Sequence, residues 1–91
     1  MGIPAVLTVL GEDKVGIVAK LATALADSGA SIKDIRQSIL DGIFSMTMLV
    51  GIDESVAAFN VVQERVSAVG DELGVQTMLQ REDVFRYMFR V

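Results

Sequence analysis

The residues with the clearest capacity for chemistry form the segment Gly11-Glu12-Asp13-Lys14-Val15-Gly16-Ile17-Val18. It joins a predicted strand to a predicted helix, and its glycines let a ligand or a neighbouring backbone approach closely. The first backbone N–H groups of a helix have no partner within the helix, so they can hold a carboxylate with the help of the helix dipole. Asp13 can meet an ammonium group at the same place. A helix end beside an acidic residue therefore suits a zwitterion such as an amino acid.

The same segment also has a purely structural interpretation. Gly11 can simply end the strand, Asp13 can cap the helix, and Gly16 can be a packing contact. Spacing alone favours this interpretation over ligand binding.

The residue types that are missing argue against catalysis. General acid–base catalysis most often uses histidine, and the chain contains neither histidine nor cysteine. Lys14, Lys20 and Lys33 show no pairing motif that would activate a nucleophile. Disulfides and thiolate metal sites are excluded, and no calcium-loop pattern occurs. The sequence predicts a protein that is not an enzyme and uses no cofactor and no metal; an enzyme of unfamiliar mechanism is the least favoured alternative.

Composition predicts a single domain, residues 1–91, that associates with a second copy. A domain of 91 residues has a thin stability margin, and 52% of these residues are hydrophobic. We therefore expect a homodimer that buries the surplus. The net charge of −4 argues against a nucleic-acid partner. No apolar run reaches the ~20 residues that span a bilayer, and no basic region precedes the first apolar stretch, so we expect no membrane association and a cytoplasmic location.

Hydrophobic periodicity and turn residues predict the elements of the chain in order. These are a strand at Pro4–Leu10, a helix at Val15–Asp27, strands at Ser31–Leu40 and Ile43–Ile52, a helix from Asp53 to Gly70 or Gly74, a strand at Val75–Gln80 and a helical tail at Arg81–Val91.

Local signals support this order. Asp41-Gly42 between two extended segments predicts a tight hairpin turn. The apolar residues of Ser31–Leu40 do not share one parity, which predicts a bulge near Lys33-Asp34. One set of alternating residues in the returning strand should face the helices: Phe44, Met46, Met48, Val50 and Ile52. One set at helical spacing should form the apolar side of the second helix: Val56, Phe59, Val62, Val66, Val69 and Leu73.

The fold class that follows is α+β, a ferredoxin-like βαββαβ sandwich. Right-handed crossovers arrange these elements as a four-stranded antiparallel sheet with two helices on one face, plus a short C-terminal helical tail. The first and third strands should be central, since they are the more hydrophobic.

The C-terminal tail is rich in aromatic residues. Phe85, Tyr87 and Phe89 lie in the last seven positions, and chain ends usually fray unless something holds them. If the tail is helical, one apolar stripe contains Val84, Phe85, Met88 and Val91. We expect this stripe to cover either sheet surface within the chain or a partner subunit.

Over its whole length the chain resembles the ACT domain family of small-molecule-sensing modules. The motif Gly-x-Asp-x-x-Gly-Ile at residues 11–17 resembles the first loop of that family, and Ala-Ser-Ile-Lys-Asp-Ile at 30–35 resembles the start of its second strand. The ending Gln-Arg-Glu-Asp-Val-Phe at 80–85 resembles short stand-alone prokaryotic ACT proteins, which are also similar to the glycine-cleavage repressor type.

The resemblance implies a regulatory dimer that binds an effector amino acid at or near the subunit interface. In that family the first loop and the start of the second strand supply the contacts. The implied site residues are Asp13, Val15, Gly16, Ile17 and Val18, with Ser31 and Ile32 opposite them. Ser31 stands where amino-acid-binding members often carry Asn. The alternative function is a ligand-free module for dimerisation or protein–protein interaction.

Overall fold

The structure is a computed structural model that describes residues 2–12 and 14–88. Its elements in chain order are β1 (Ile3–Glu12), α1 (Ile17–Asp27), β2 (Ser31–Leu40), β3 (Ile43–Ile52), α2 (Phe59–Leu73), β4 (Gln76–Arg81) and α3 (Glu82–Met88). All strand pairs are antiparallel, in the order β2-β3-β1-β4. The ferredoxin-like prediction is confirmed, with the third and first strands in the centre.

The core lies between one face of the sheet and the helices α1 and α2. The alternating set predicted in β3 is buried throughout, from Phe44 to Ile52. Leu21 and Leu25 of α1 and Val62 and Val66 of α2 pack against this set. Because these apolar residues recur at helical spacing, burying them also fixes which side of each helix faces the sheet.

The β2–β3 hairpin forms as its sequence predicts. Asp41 (φ 51°) and Gly42 (φ 78°) are both left-handed, which is the backbone that a two-residue hairpin turn requires. The register between β2 and β3 shifts between Ile32 and Asp34, so the predicted bulge at Lys33 is present. This shift places Ile32, Ile35, Gln37 and Ile39 on the helix side of the sheet.

The predicted start of α1 is wrong by two residues. Gly16 is the N-cap at φ 87°, no side chain caps the helix, and Ile17 is its first residue. Asp13, which we expected as the cap, lies outside the described residues. Since a left-handed residue cannot belong to a right-handed helix, Gly16 sets the boundary.

The predicted start of α2 is also wrong, because Asp53 begins a turn instead of the helix. The Asp53 carboxylate accepts hydrogen bonds from the Ser55 hydroxyl (2.6 Å) and the Ser55 backbone N–H (3.0 Å). The helix starts at Phe59, and Val56, expected on the apolar side, is 58% exposed. The helix ends at Gly74 (φ 73°), the later of the two predicted stops.

This turn predicts a pH effect at Asp53. The hydrogen bonds from the Ser55 hydroxyl and then the Ser55 backbone N–H stabilise the carboxylate and hold the pKa of Asp53 below its ordinary value of 3.8. Because the folded-state pKa is depressed, the turn's contribution to stability is present above the unfolded pKa and is lost as the pH falls through the folded one. In Ser55→Ala the Asp53 pKa should rise towards its ordinary value, as NMR titration of the carboxyl carbon would measure. An unchanged pKa would contradict the assignment.

The tail is helical over Glu82–Met88, within the predicted range Arg81–Val91, and α3 lies on the sheet face opposite α1 and α2, where Phe85 meets the outward-facing Val6 and Leu49. Phe85 lines a groove there with Val6, Thr47 and Leu49. Val6 is only 3% exposed, although it points away from the main core. The tail therefore covers sheet surface of its own chain; Phe89 and Val91 lie outside the described residues.

Within residues 2–12 and 14–88, no helix is long and apolar enough to cross a membrane. The same residues hold no group of three acidic side chains that could bind a metal ion.

Candidate functional site

A groove of about 470 Å³ lies where the start of α1 meets the end of β2. It contains three of the predicted site residues, Gly16, Ile17 and Val18. The other residues that line it are Lys14, Ala19, Gln37, Ser38, Ile39 and Phe44. The groove is therefore the place where the predicted loop meets the edge strand of the sheet.

The start of α1 presents backbone donors to this groove. The first helical hydrogen bond runs from the Lys20 N–H to the Gly16 carbonyl (2.9 Å), so the preceding amides have no acceptor within the helix. A Cβ built on Gly16 would meet nothing within 4 Å, so the space above the helix start is open. Such an end attracts a carboxylate.

Lys14 adds a positive charge and holds the loop in place. Its Nζ donates a hydrogen bond to the Leu73 carbonyl, in the last turn of α2, at 3.0 Å. At the other end of the loop Gly11 lies against Val75, since a Cβ built on Gly11 would come within 2.7 Å of Val75 Cγ1. These contacts fasten the β1–α1 loop to the junction of α2 and β4.

Two predicted site residues of the loop behave differently from each other. Ile17 is 2% exposed and belongs to the core, so only its backbone and side-chain edge reach the groove. Val15 is 100% exposed and does not line the groove. Asp13 lies outside the described residues, and its role as a partner for an ammonium group stays a prediction.

Ser31 and Ile32 lie at the other end of the sheet. They pair with Gly51 and Val50 of β3, whereas Phe44, in the groove, pairs with Gly11. The seven steps along β3 from Phe44 to Gly51 correspond to roughly 24 Å. One chain therefore does not bring the two halves of the predicted site together.

The sequence interpretation missed Lys14 and the β2 residues Gln37, Ser38 and Ile39. Lys14 follows Asp13 directly and gave no signal beyond its charge. Ile39 did give a signal: it is an apolar residue at the end of a polar strand, and it is 60% exposed in the chain alone.

Comparison with known proteins now gives the family. The family model described as "ACT domain" matches residues 4–80. A UPF0237 protein of Methanocaldococcus jannaschii is 43% identical over 86 residues, which cover 94% of this chain and 96% of that one. The solved structure of an ACT domain protein from Streptococcus pneumoniae is 35% identical with a TM-score of 0.80, covering 93% of this chain and 96% of that one.

A putative glycine cleavage system transcriptional repressor shares the fold at 24% identity and a TM-score of 0.76, over 86% of this chain and 44% of that one. The loop motif, the strand order and these matches agree: the chain belongs to the ACT domain family.

Proposed function

We propose that the chain is a non-catalytic regulatory module, a cytoplasmic homodimer that binds an amino acid or a similar small zwitterion in the groove at the start of α1. ACT domains are typically regulatory modules that bind ligands. The observation that supports the proposal is that the residues predicted for the site lie near opposite ends of β2, the edge strand of the sheet. A two-fold axis through the middle of that edge would bring them together.

The register of such a pairing follows from the bulge. In an antiparallel pair of β2 strands centred on Arg36, the Arg36 of one copy lies opposite the Arg36 of the other. If Lys33 stays outside the ladder, as it does against β3, Ile32 of one copy lies beside Ile39 of the other. Both residues are on the helix side of the sheet, and both are exposed in the single chain, by 41% and 60%. Ile32 of the second copy would then border the groove, while Ser31 would lie beside Leu40 and contribute its backbone.

This pairing has one electrostatic cost. Arg36 would meet its own copy at the axis, and like charges opposite each other destabilise a strand pair. Asp34 lies 2.6 Å from Arg36 in the same chain, which reduces the repulsion. The edge can therefore pair without leaving an uncompensated charge.

The groove suits a carboxylate because the amides that begin α1 have no acceptor within the helix. The amides at the start of α1 and the Lys14 ammonium favour a carboxylate. Asp13, three residues before Gly16, is our proposed partner for the ammonium group. Ile39 and Phe44 supply an apolar wall for a side chain of moderate size.

Regulation would follow from a ligand that contacts both copies. A ligand that binds only the paired state stabilises pairing, and pairing raises the affinity for the ligand by the same factor. The alternative is a dimerisation module without a ligand, which the exposed Ile32 and Ile39 on a free edge would also explain.

A thermal-shift screen against amino acids separates the two functions. A ligand at ~100 times its Kd should add roughly 2.7 kcal/mol of stability. Gly16→Val should abolish the shift, because its side chain would stand in the open space of the groove. Gly42→Val is the matched control, since Gly42 is also left-handed and also has nothing within 4 Å. No shift with any amino acid would leave the dimerisation module as the function.

Mixing two binding-deficient variants tests whether both copies build one site. Ile32→Trp should fill the groove of the neighbouring copy, so neither Ile32→Trp nor Gly16→Val should bind alone. After the two are unfolded together and refolded, half of the dimers should be mixed and carry one intact site. Calorimetry should then recover about one quarter of the wild-type sites. If Ile32→Trp binds like the wild type on its own, or if the refolded mixture recovers no sites, the two copies do not share one site.

A further inference from the structure

The sheet has two edge strands, β2 and β4. Backbone groups that point away from the sheet at an edge can bond a further strand, so they decide what each edge accepts. Successive residues of an antiparallel strand point their N–H and C=O groups to opposite sides. The two-residue turn bonds Leu40 to Ile43 of β3. Counted back from this pair, the residues of β2 that face the free edge are Ile39, Gln37, Ile35 and, across the bulge, Ile32.

The β4 edge is closed by a side chain of another element. The Thr8 hydroxyl donates to the Met78 carbonyl (3.4 Å), so this carbonyl points towards β1. The next carbonyl, that of Leu79, therefore points to the free edge. There it accepts a hydrogen bond of 2.7 Å from the side-chain amide of Gln63, a partly buried residue of α2. A strand that pairs here would have to displace a side chain that the folded helix holds in place.

The β2 edge is closed by side chains of the same strand. The Ile35 N–H donates to Asp34 Oδ1 (2.8 Å). The Arg36 guanidinium donates to the Ile35 carbonyl (3.1 Å) and to the same Asp34 oxygen (2.6 Å). We call this arrangement of Asp34 and Arg36 around the Ile35 backbone the edge bracket. The Arg36 side chain is 79% exposed and that of Asp34 47%. Because exposed ion pairs add little free energy, the bracket can open at small cost, unlike the Gln63 contact.

The residues that face the β2 edge match those of a second copy. About a two-fold axis at Arg36, Ile35 lies opposite Gln37 of the other copy. Both residues point their N–H and C=O groups to the free edge, so they can exchange two backbone hydrogen bonds. A register shifted by one residue would place Ile35 opposite Arg36 or Ser38, whose backbone groups face β3. The edge therefore pairs with itself in the register that also brings the two halves of the proposed site together.

The charges of this edge also suit a second copy. The charged residues of β2 and its turn are Lys33, Asp34, Arg36 and Asp41, and their charges sum to zero. In the register about Arg36, Asp34 lies diagonally opposite the Arg36 of the other copy, which is within reach of a long side chain. The two side chains of an opened bracket therefore find opposite charges across the axis.

We propose that the edge bracket is a releasable cap, which occupies the Ile35 backbone in the single chain and gives way to the β2 strand of a second copy. In the pair, the Ile35 N–H and C=O bond the Gln37 backbone of the second copy, and Asp34 turns to the Arg36 across the axis. The release rests on the edge pairing of the proposed function, whereas the bracket is a property of the single chain. The Ile35 N–H thus has a side-chain acceptor in one state and a backbone acceptor in the other.

Amide hydrogen exchange by NMR, expressed as protection relative to the unfolded peptide, tests the bracket. Ile39→Asp supplies the single chain, because it places a charge against Ile32 of the other copy. In this variant the Ile35 amide should be about threefold to tenfold more protected than the Gln37 amide. Gln37 faces the same edge, but the neighbouring Ser38 is engaged with Ser45 of β3 (3.1 Å).

Adding Asp34→Ala to Ile39→Asp should remove the excess protection of Ile35. The matched control is Glu82→Ala, which also removes the acidic partner of an exposed ion pair and should keep that excess. Equal protection of Ile35 and Gln37 in the Ile39→Asp chain would overturn the bracket and leave the edge pairing of the proposed function untouched.

The release is tested in the pair, at a concentration where light scattering shows a dimer. Both amides should be more protected than in the single chain, and Asp34→Ala should leave Ile35 protected, because the second copy now supplies the acceptor. If Asp34→Ala lowers the protection of Ile35 as much in the dimer as in the single chain, the cap is not released and the proposal is wrong. Ile39→Asp should halve the wild-type mass. Equal masses would reject the edge pairing of the proposed function, and the release with it, even where the exchange pattern of the bracket is present.

Discussion

Leu21→Ala is expected to lower the free energy of unfolding by about 2–5 kcal/mol. Leu21 is 0% exposed and lies on α1 in the centre of the core. The substitution removes buried methyl groups and leaves a cavity that the sheet below cannot fill. A domain of this length has a total stability of roughly 5–14 kcal/mol, so the loss is a large fraction of it.

Urea denaturation at one fixed protein concentration measures this effect, since association of copies would otherwise shift the midpoint. Val15→Ala is the control, because Val15 is 100% exposed and its truncation should change stability by less than about 0.5 kcal/mol. Equal effects of the two substitutions would contradict the assigned core.

The strands could be predicted because their signals are local. The period of two in β3 decides which of its side chains are buried, and Asp41-Gly42 decides where the chain reverses. The bulge at Lys33 was also readable, since the apolar residues of β2 change parity there. Register and burial follow once these signals are combined.

The helix starts could not be predicted, because aspartate and glycine each have two structural uses near the start of a helix. Aspartate is a good helix cap, but at Asp53 it closes a turn with Ser55 before the helix begins. Glycine lets a ligand approach, but at Gly16 it is also the left-handed residue that stops the helix from starting earlier. Sequence cannot choose between these uses, because the neighbours that decide come from other elements.

The candidate site shows the same limit at longer range. Gly16, Ile17 and Val18, the loop half of the predicted site, line the groove at the start of α1. The strand half, Ser31 and Ile32, is far away because β2 runs in the same direction as β1, so its start lies at the opposite end of the sheet. Residues 37–39 take that place within the chain. A motif names residues, but the direction of a strand decides which of them meet within one copy.

Gly29→Ala should cost about 2–5 kcal/mol of stability, which is more than a glycine in a turn usually costs. Gly29 lies in the turn that follows α1 and has a φ of 78°. A residue with a side chain in this left-handed region costs roughly 1–2 kcal/mol of stability. In addition, the new Cβ would lie 2.6 Å from Val56 Cβ. The turn before α2 would have to move away, and such overpacking costs about 1–3 kcal/mol.

Gly42→Ala separates these two costs. Gly42 has the same φ of 78°, but nothing lies within 4 Å of its added Cβ, so only the backbone cost of about 1–2 kcal/mol should appear. Val56→Gly supplies the other half of the comparison, since it removes the atom that Gly29→Ala would strike. Gly29→Ala should therefore cost less in a Val56→Gly background than in the wild type, by about 1–3 kcal/mol. If urea denaturation gives additive effects for the two substitutions, the contact between the α1 end and the turn before α2 does not constrain Gly29, and backbone conformation alone accounts for the glycine.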